Sequence, residues 1–235
     1  MKDTVSNAGT GVSLDDAERA CTAILNCVDV SGYESNLDQH ASGTLQWVSS
    51  DPQYNNWLSK DSMRLLWVTG FSGCGKTILS HYLVVHLQKM LSPSTIICRF
   101  FCNGRIESQR DSVNLLRSII YQIVMHRRKL LRIVRRASDA QGFQLFSRFD
   151  SLWNPFLEIC RHKGDELIVI IDAIDECEEQ IQVSMTKRIV NLLGSEPEFS
   201  IKFLITSRPN VPATYVLKSA AIQCIRLKLE EKQSQ

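Results

Sequence analysis

VTGFSGCGKT, residues 68–77, sets three glycines and a lysine behind an apolar run. Glycine inside a regular element costs about 0.5–1 kcal/mol against alanine, so such a cluster implies a backbone that must bend or be closely approached. Gly70, Gly73, Gly75, Lys76 and Thr77 fit the pattern G-x-x-x-x-G-K-[ST] without mismatch. The stretch follows an apolar run and opens a helix-like segment, which is the context the pattern requires. Successive backbone N–H groups in such a loop form an anion-binding nest, and the helix start adds positive partial charge. Side chains at the glycine positions would obstruct that approach. The predicted holder of a nucleotide phosphate is therefore the run Gly70, Phe71, Ser72, Gly73, Cys74, Gly75, Lys76, Thr77 and Ile78. In it Lys76 reaches the β- and γ-phosphates, and the Thr77 hydroxyl ligates Mg²⁺.

The rest of the chain supports that context. RLLWVTG (64–70), STIICRFFC (94–102), ELIVIIDAIDE (166–176) and SIKFLITSRP (200–209) read as strands, and AIQCIRL (221–227) as a fifth. Between them KTILSHYLVVHLQKM (76–90), SVNLLRSIIYQIVMHRR (112–128), FDSLWNPFLEICRH (149–162) and VSMTKRIVNLLG (183–194) read as helices, the last ending at Gly194 as its C-cap. Continuous apolar strands alternating with helices predict a parallel sheet covered on both faces, an α/β three-layer domain. Upstream, LDDAERACTAI has helix-like spacing with Ser13 as its N-cap, and Trp47 and Trp57 flank a short helical stretch. Trp47, Trp57, Trp67 and Trp153 are expected to pack the sheet and its flank. The predicted layout is a disordered tail (1–12), a helical flanking segment (13–60), the sheet domain (61–228) and a polar tail (229–235).

LIVIIDAIDE supplies what the glycine loop lacks. Asp172 ends five apolar residues, which puts its carboxylate at the C-terminal rim of the sheet, where ligands of open parallel sheets sit. A hard Mg²⁺ ion with few protein ligands wants such a carboxylate, directly or through water. Asp175 and Glu176 follow within one turn, and either can orient an attacking water. Fast ATP-driven motors carry glutamate directly after the metal-binding aspartate. Here that place holds Ala173, which suits slow turnover. Arg208, at the end of the fourth strand, is positioned to contact a γ-phosphate. Thr206 and Ser207 can hold the loop or hydrogen-bond the water.

Composition narrows the classes. A net charge of +2 over 235 residues supplies no drive toward nucleic acid or membrane. Residues 1–45 carry two basic and seven acidic side chains, while HRRKLLRIVRR (126–136) is the densest basic run. That run reads as the polar face of a helix between the second and third strands. No apolar run approaches the roughly 20 residues that cross a bilayer, and the amino terminus has no signal-peptide core. The eight cysteines are scattered without a C-x-x-C pair, as expected of reduced thiols in a cytoplasmic chain. Cys74 is the thiol whose oxidation would matter. A guanine-reading N/T-K-x-D loop is lacking: TKRI (186–189) has no aspartate and falls inside a helix. Adenine is favoured by default.

Together these residues resemble a NACHT-type NTPase of the STAND class, closest to the nephrocystin-like N-terminal modules common in fungal NOD-like receptors. The carrying pieces run in family order from GTLQWVSSDPQYNNWLSKDSMRLLWVTGFSGCGKT through CRFFCNGR, NLLRSIIYQI, FDSLWNPFLEIC and LIVIIDAIDEC to IKFLITSRP. They cover about residues 20–227. Family members often carry cysteine two places before the first tryptophan, where this chain has Leu45. The resemblance implies a P-loop NTPase of the ASCE type, with a mainly parallel five-stranded sheet in the order 5-1-4-3-2. It implies Lys76 and Thr77 for phosphate and metal, Asp172 for Mg²⁺, Asp175 and Glu176 for hydrolysis, and Arg208 as sensor. The cofactors implied are ATP or ADP with Mg²⁺. Family members continue into helical, winged-helix and repeat domains. RLKLEEKQSQ follows the fifth strand directly, so a fragment, or a module whose lid comes from a partner or from self-association, is expected.

Three functions compete at this point. One is a switch with slow ATP hydrolysis, and another is an interaction or decoy module that holds nucleotide without meaningful hydrolysis. The third, a P-loop kinase, would need the basic run to act as a lid, against its reading as a helix face. Nucleic acid is the least favoured partner.

Overall fold

A computed structural model describes residues 15–28, 45–59, 63–162, 166–196 and 199–219, together with the backbone of 224–228. The tails at 1–12 and 229–235, Ser13 and the loop at 29–44 lie outside the described residues. Five strands form one sheet: β1 (Leu65–Thr69), β2 (Ile96–Phe101), β3 (Leu167–Asp172), β4 (Ile201–Ser207) and β5 (Cys224–Lys228). Their order is β2-β3-β4-β1-β5 and every pairing is parallel, the arrangement expected from the resemblance. All residues of β1, β3 and β4 are buried, which is why these strands read as unbroken apolar runs.

Helices cover both faces. On one, the turn Gln46–Ser50, α2 (Pro52–Ser59) and α3 (Lys76–Met90) pack Val48, Tyr54, Trp57, Leu79 and Leu83 against Leu66, Val68, Ile168 and Ile170. On the other lie α1 (Asp16–Leu25), α4 (Ser112–His126), α5 (Leu131–Gln141), α6 (Gln144–Ser147), α7 (Phe149–Cys160), α8 (Glu179–Ser195) and α9 (Pro212–Ser219), against Trp67, Cys98, Phe100, Val169 and Phe203. Trp57, Trp67 and Trp153 are buried in these layers, and Trp47 packs against the first. The chain is thus a three-layer α/β domain.

Several boundaries differ from the sequence expectation. The N-cap of α1 is Asp15, whose carboxylate accepts the Glu18 amide at 2.8 Å. Gly194 does not end α8, which runs on to Ser195. The reason lies on another segment: the Arg64 guanidinium donates to the carbonyls of Leu193, Glu196 and Phe199 and so satisfies that helix end without a glycine. The eight-residue α9 was not anticipated. The basic run is broken at Arg127 and resumes in α5, where Arg135 pairs with Asp15 and Arg136 with Glu158, so those two arginines dock the helix on α1 and α7.

The edge at β2 is closed locally by α4. Gln122 accepts the Arg99 amide at 2.9 Å and donates to the Arg99 carbonyl at 2.8 Å, reproducing with a side-chain amide the two bonds a neighbouring strand would make.

Candidate functional site

The site forms where β1, β3 and β4 end. Gly70 leaves β1 buried, and its amide donates to the Ser207 carbonyl at 3.2 Å, which ties the start of the glycine loop to the end of β4. The loop then turns through two left-handed positions, Gly73 at φ 79° and Gly75 at φ 86°. L-residues other than glycine adopt that conformation only at a cost of about 1–2 kcal/mol, which explains both glycines. Gly75 is the N-cap of α3, and the first amides of α3 have no acceptor within the helix. Lys76 folds back so that Nζ donates to the carbonyls of Gly70 (2.7 Å) and Phe71 (2.8 Å) and, more weakly, to the Cys74 sulfur at 3.9 Å.

Below the loop, Asp172 is 1% exposed and holds three hydroxyls. Thr77 donates to Oδ2 at 2.7 Å, while Ser80 and Thr206 each donate to Oδ1 at 2.7 Å. Burial pushes the Asp172 carboxyl above its ordinary value, and these three hydroxyls, with the Lys76 charge, oppose the shift. Thr206 also accepts the Ala173 amide at 2.8 Å, so it anchors the end of β3 rather than a water. Ala173 itself is left-handed, at φ 52°, and carries the chain off the strand into the single turn Ile174–Glu176.

That turn separates the two remaining acids. Asp175 accepts the Arg208 amide on Oδ1 at 3.1 Å and Arg208 Nε on Oδ2 at 2.5 Å. Its side chain is 3% exposed against 54% for Arg208, so the carboxylate lies beneath the guanidinium. Glu176 takes a different partner: its Oε2 accepts the Gly104 amide, in the loop after β2, at 2.9 Å.

A cleft of about 360 Å³ opens over these groups. Of the expected binding run, Ser72, Gly73, Gly75, Lys76, Thr77 and Ile78 line it, together with Ala173, Asp175, Glu176 and Arg208. Gly70, Phe71 and Cys74 are not among its lining residues: Gly70 is buried in the strand end, and the Phe71 ring is 65% exposed. Ser207 bonds the Arg208 carbonyl and accepts the Trp67 indole N–H, both structural contacts. TKRI lies inside α8, where the Thr186 hydroxyl bonds the Gln182 carbonyl. Ser80, Gly104 and the left-handed conformation of Ala173 were not anticipated.

The donor set fits a magnesium nucleotide. Thr77 gives its proton to Asp172, so its oxygen lone pairs remain for a hard cation, and Asp172 adds a carboxylate. The glycine backbone and Lys76 offer amides and positive charge for phosphate oxygens.

Residues 43–208 match the sequence model of one family, described as nephrocystin 3, N-terminal. The chain belongs to that family. This nephrocystin-3 N-terminal module is also 30% identical over 219 residues to the vegetative incompatibility protein HET-E-1 of Podospora anserina, covering 89% of the chain and 16% of the relative. It is a NACHT-like module, a nucleotide-binding P-loop unit that spans only a small part of that curated relative. Among solved structures it is similar to the Aeropyrum pernix ORC1 protein in complex with DNA, at TM-score 0.49 and 12% identity, covering 88% of this chain and 48% of that one. It is similar too to Cdc6p of Pyrobaculum aerophilum, at TM-score 0.46 and 15% identity, over 92% of this chain and 49% of that one. The DNA in the first complex belongs to that protein.

Proposed function

We propose that this module binds ATP and ADP with Mg²⁺, hydrolyses ATP slowly, and acts as a nucleotide-dependent signalling switch. The observation that carries the proposal is the 2.7 Å bond from Thr77 to Asp172 directly under the glycine loop. It joins the helix start that would hold phosphates to the carboxylate that would hold the metal. Bound there, Mg²⁺ would neutralise charge on the phosphate oxygens. Lys76 balances phosphate charge, and the loop amides orient the chain of phosphates. Arg208, exposed at the cleft and braced by Asp175, is the group that distinguishes tri- from diphosphate. Glu176 is the acid left to orient a water.

A second function, nucleotide holding without meaningful hydrolysis, draws support from one feature. Asp175 is committed to Arg208, and Glu176 to the Gly104 amide. Phosphate release from the purified chain separates the two functions. In a switch, wild type exceeds Lys76→Ala and Glu176→Gln in release, while Glu176→Gln still binds nucleotide. Release no faster than that of Lys76→Ala, with binding intact, leaves the holding module. Absence of any nucleotide binding removes both.

Partners and place belong to the same proposal. No helix among the described residues is long and apolar enough to cross a membrane. We assign the module to the cytoplasm, with nucleotide as its ligand and with self-association or a partner protein, rather than nucleic acid, closing the open cleft.

A further inference from the structure

We propose that Ser80 is a positioning residue for the metal: it fixes which oxygen of Asp172 remains open to Mg²⁺. The inference rests on the Mg-nucleotide site above.

An ionised carboxylate offers about four acceptor positions, two on each oxygen. At Asp172, Oδ1 accepts both Ser80 and Thr206 and is thereby filled. Oδ2 accepts Thr77 alone, so the one free position lies on the oxygen bonded to the cleft-lining threonine. Without Ser80, a position opens on Oδ1, and the carboxylate can turn or share the cation between its oxygens.

Ser80, like Thr77 in the same helix, departs from the common pattern of helical hydroxyls. Serine and threonine within helices commonly return their proton to the carbonyl four residues back. Thr22, Ser59 and Thr186 do so here, to Glu18, Asn55 and Gln182. Ser80 instead donates across to β3. It lies three residues after Thr77, on the same face of α3, is 0% exposed, and does not line the cleft. It acts on a ligand only through Asp172.

The test is a Mg²⁺ titration of a fluorescent ATP analogue bound to the purified chain. Groups that orient a metal-holding carboxylate typically change metal affinity 10–100-fold when removed. We expect Ser80→Ala to need about tenfold more Mg²⁺ for half-maximal binding, while metal-free binding of the analogue stays unchanged. In an Asp172→Asn background the same substitution should add nothing. Ser80→Cys, similar in size with a weak S–H donor, should reproduce the shift even if the alanine variant folds poorly. An unchanged Mg²⁺ requirement in folded Ser80→Ala or Ser80→Cys overturns the inference, as does a shift that persists in Asp172→Asn. Wild type that binds the analogue without any Mg²⁺ dependence also overturns it but leaves the nucleotide site standing. Wild type that binds no analogue overturns the site itself.

Discussion

Asp175 holds Arg208 at two points, one carboxylate oxygen on its backbone amide at 3.1 Å and the other on Nε at 2.5 Å. Nε is engaged, and the two terminal nitrogens of the guanidinium remain for a ligand. On the linear chain Asp175 and Glu176 look like equal candidates for the water-orienting acid. The pairing separates them and makes Asp175 the brace of a sensor. Asp175→Ala and Arg208→Ala should each reduce the preference for ATP over ADP by about tenfold, the scale of one hydrogen bond to a charged group. The double variant should lose little more, because the two act as a unit. Competition of ATP and ADP against a fluorescent nucleotide measures the ratio. Additive losses would mean the residues act separately.

Asp172→Asn should trade binding for stability. The native carboxyl titrates above its ordinary value of 3.8, so between those pH values the folded state holds more protons than the unfolded one. Stability of the wild type therefore falls as pH rises through that window, whereas the asparagine variant escapes the loss. Asparagine can still accept from Ser80 and Thr206 and donate to Thr77. Thermal unfolding without nucleotide should show the variant with a higher Tm than the wild type at neutral pH. The gain should shrink toward pH 4, and the Mg²⁺ needed for half-maximal nucleotide binding should rise at least about tenfold. A variant less stable than wild type at neutral pH contradicts this account.

Ala173 occupies a backbone region that costs an L-residue about 1–2 kcal/mol. Glycine relieves that cost but brings about 0.5–1 kcal/mol of unfolded-state entropy. Ala173→Gly should raise Tm slightly, by up to about 1 kcal/mol in stability, and Ala173→Val should lower it. A calorimetric scan of both decides. Equal Tm values for glycine and valine would show that the turn relaxes around this position.

Gly104 touches the acid turn closely. A Cβ there would stand 3.1 Å from the Glu176 carbonyl oxygen, so the two loops would have to part by a few tenths of an ångström. Gly104→Ala should therefore loosen the bond between the Gly104 amide and Glu176. With about 0.5–1.5 kcal/mol at stake, phosphate release should rise roughly 2–10-fold while Tm falls. Release that falls instead would show that the amide holds Glu176 in its working position.

The parts of the site legible in the sequence are those set by local spacing. The loop from Gly70 to Thr77 bends because of its own glycines, and Asp172 ends a strand whose length fixes where it emerges. Ser80 was within reach of the same logic, three residues after Thr77, yet helical serines commonly bond their own backbone and give no sign of a longer reach. The Asp175–Arg208 and Glu176–Gly104 pairs join separate loops, and nothing in the local pattern of either segment marks them. In the fold, the buried strands announced themselves through unbroken apolar runs. The end of α8 did not, because the arginine that caps it belongs to the segment before β1. Nor did α9, where Pro212 suits a turn as well as the first position of a helix.

Gln122 has a consequence for how copies of this chain could assemble. Its side chain occupies both main-chain groups of Arg99 that an incoming polypeptide would need, so extending the sheet past β2 means first evicting a glutamine from α4. At that point of the edge an internal mimic of the next strand stands where a second copy would pair, so amyloid-like stacking on β2 meets an obstacle at Arg99.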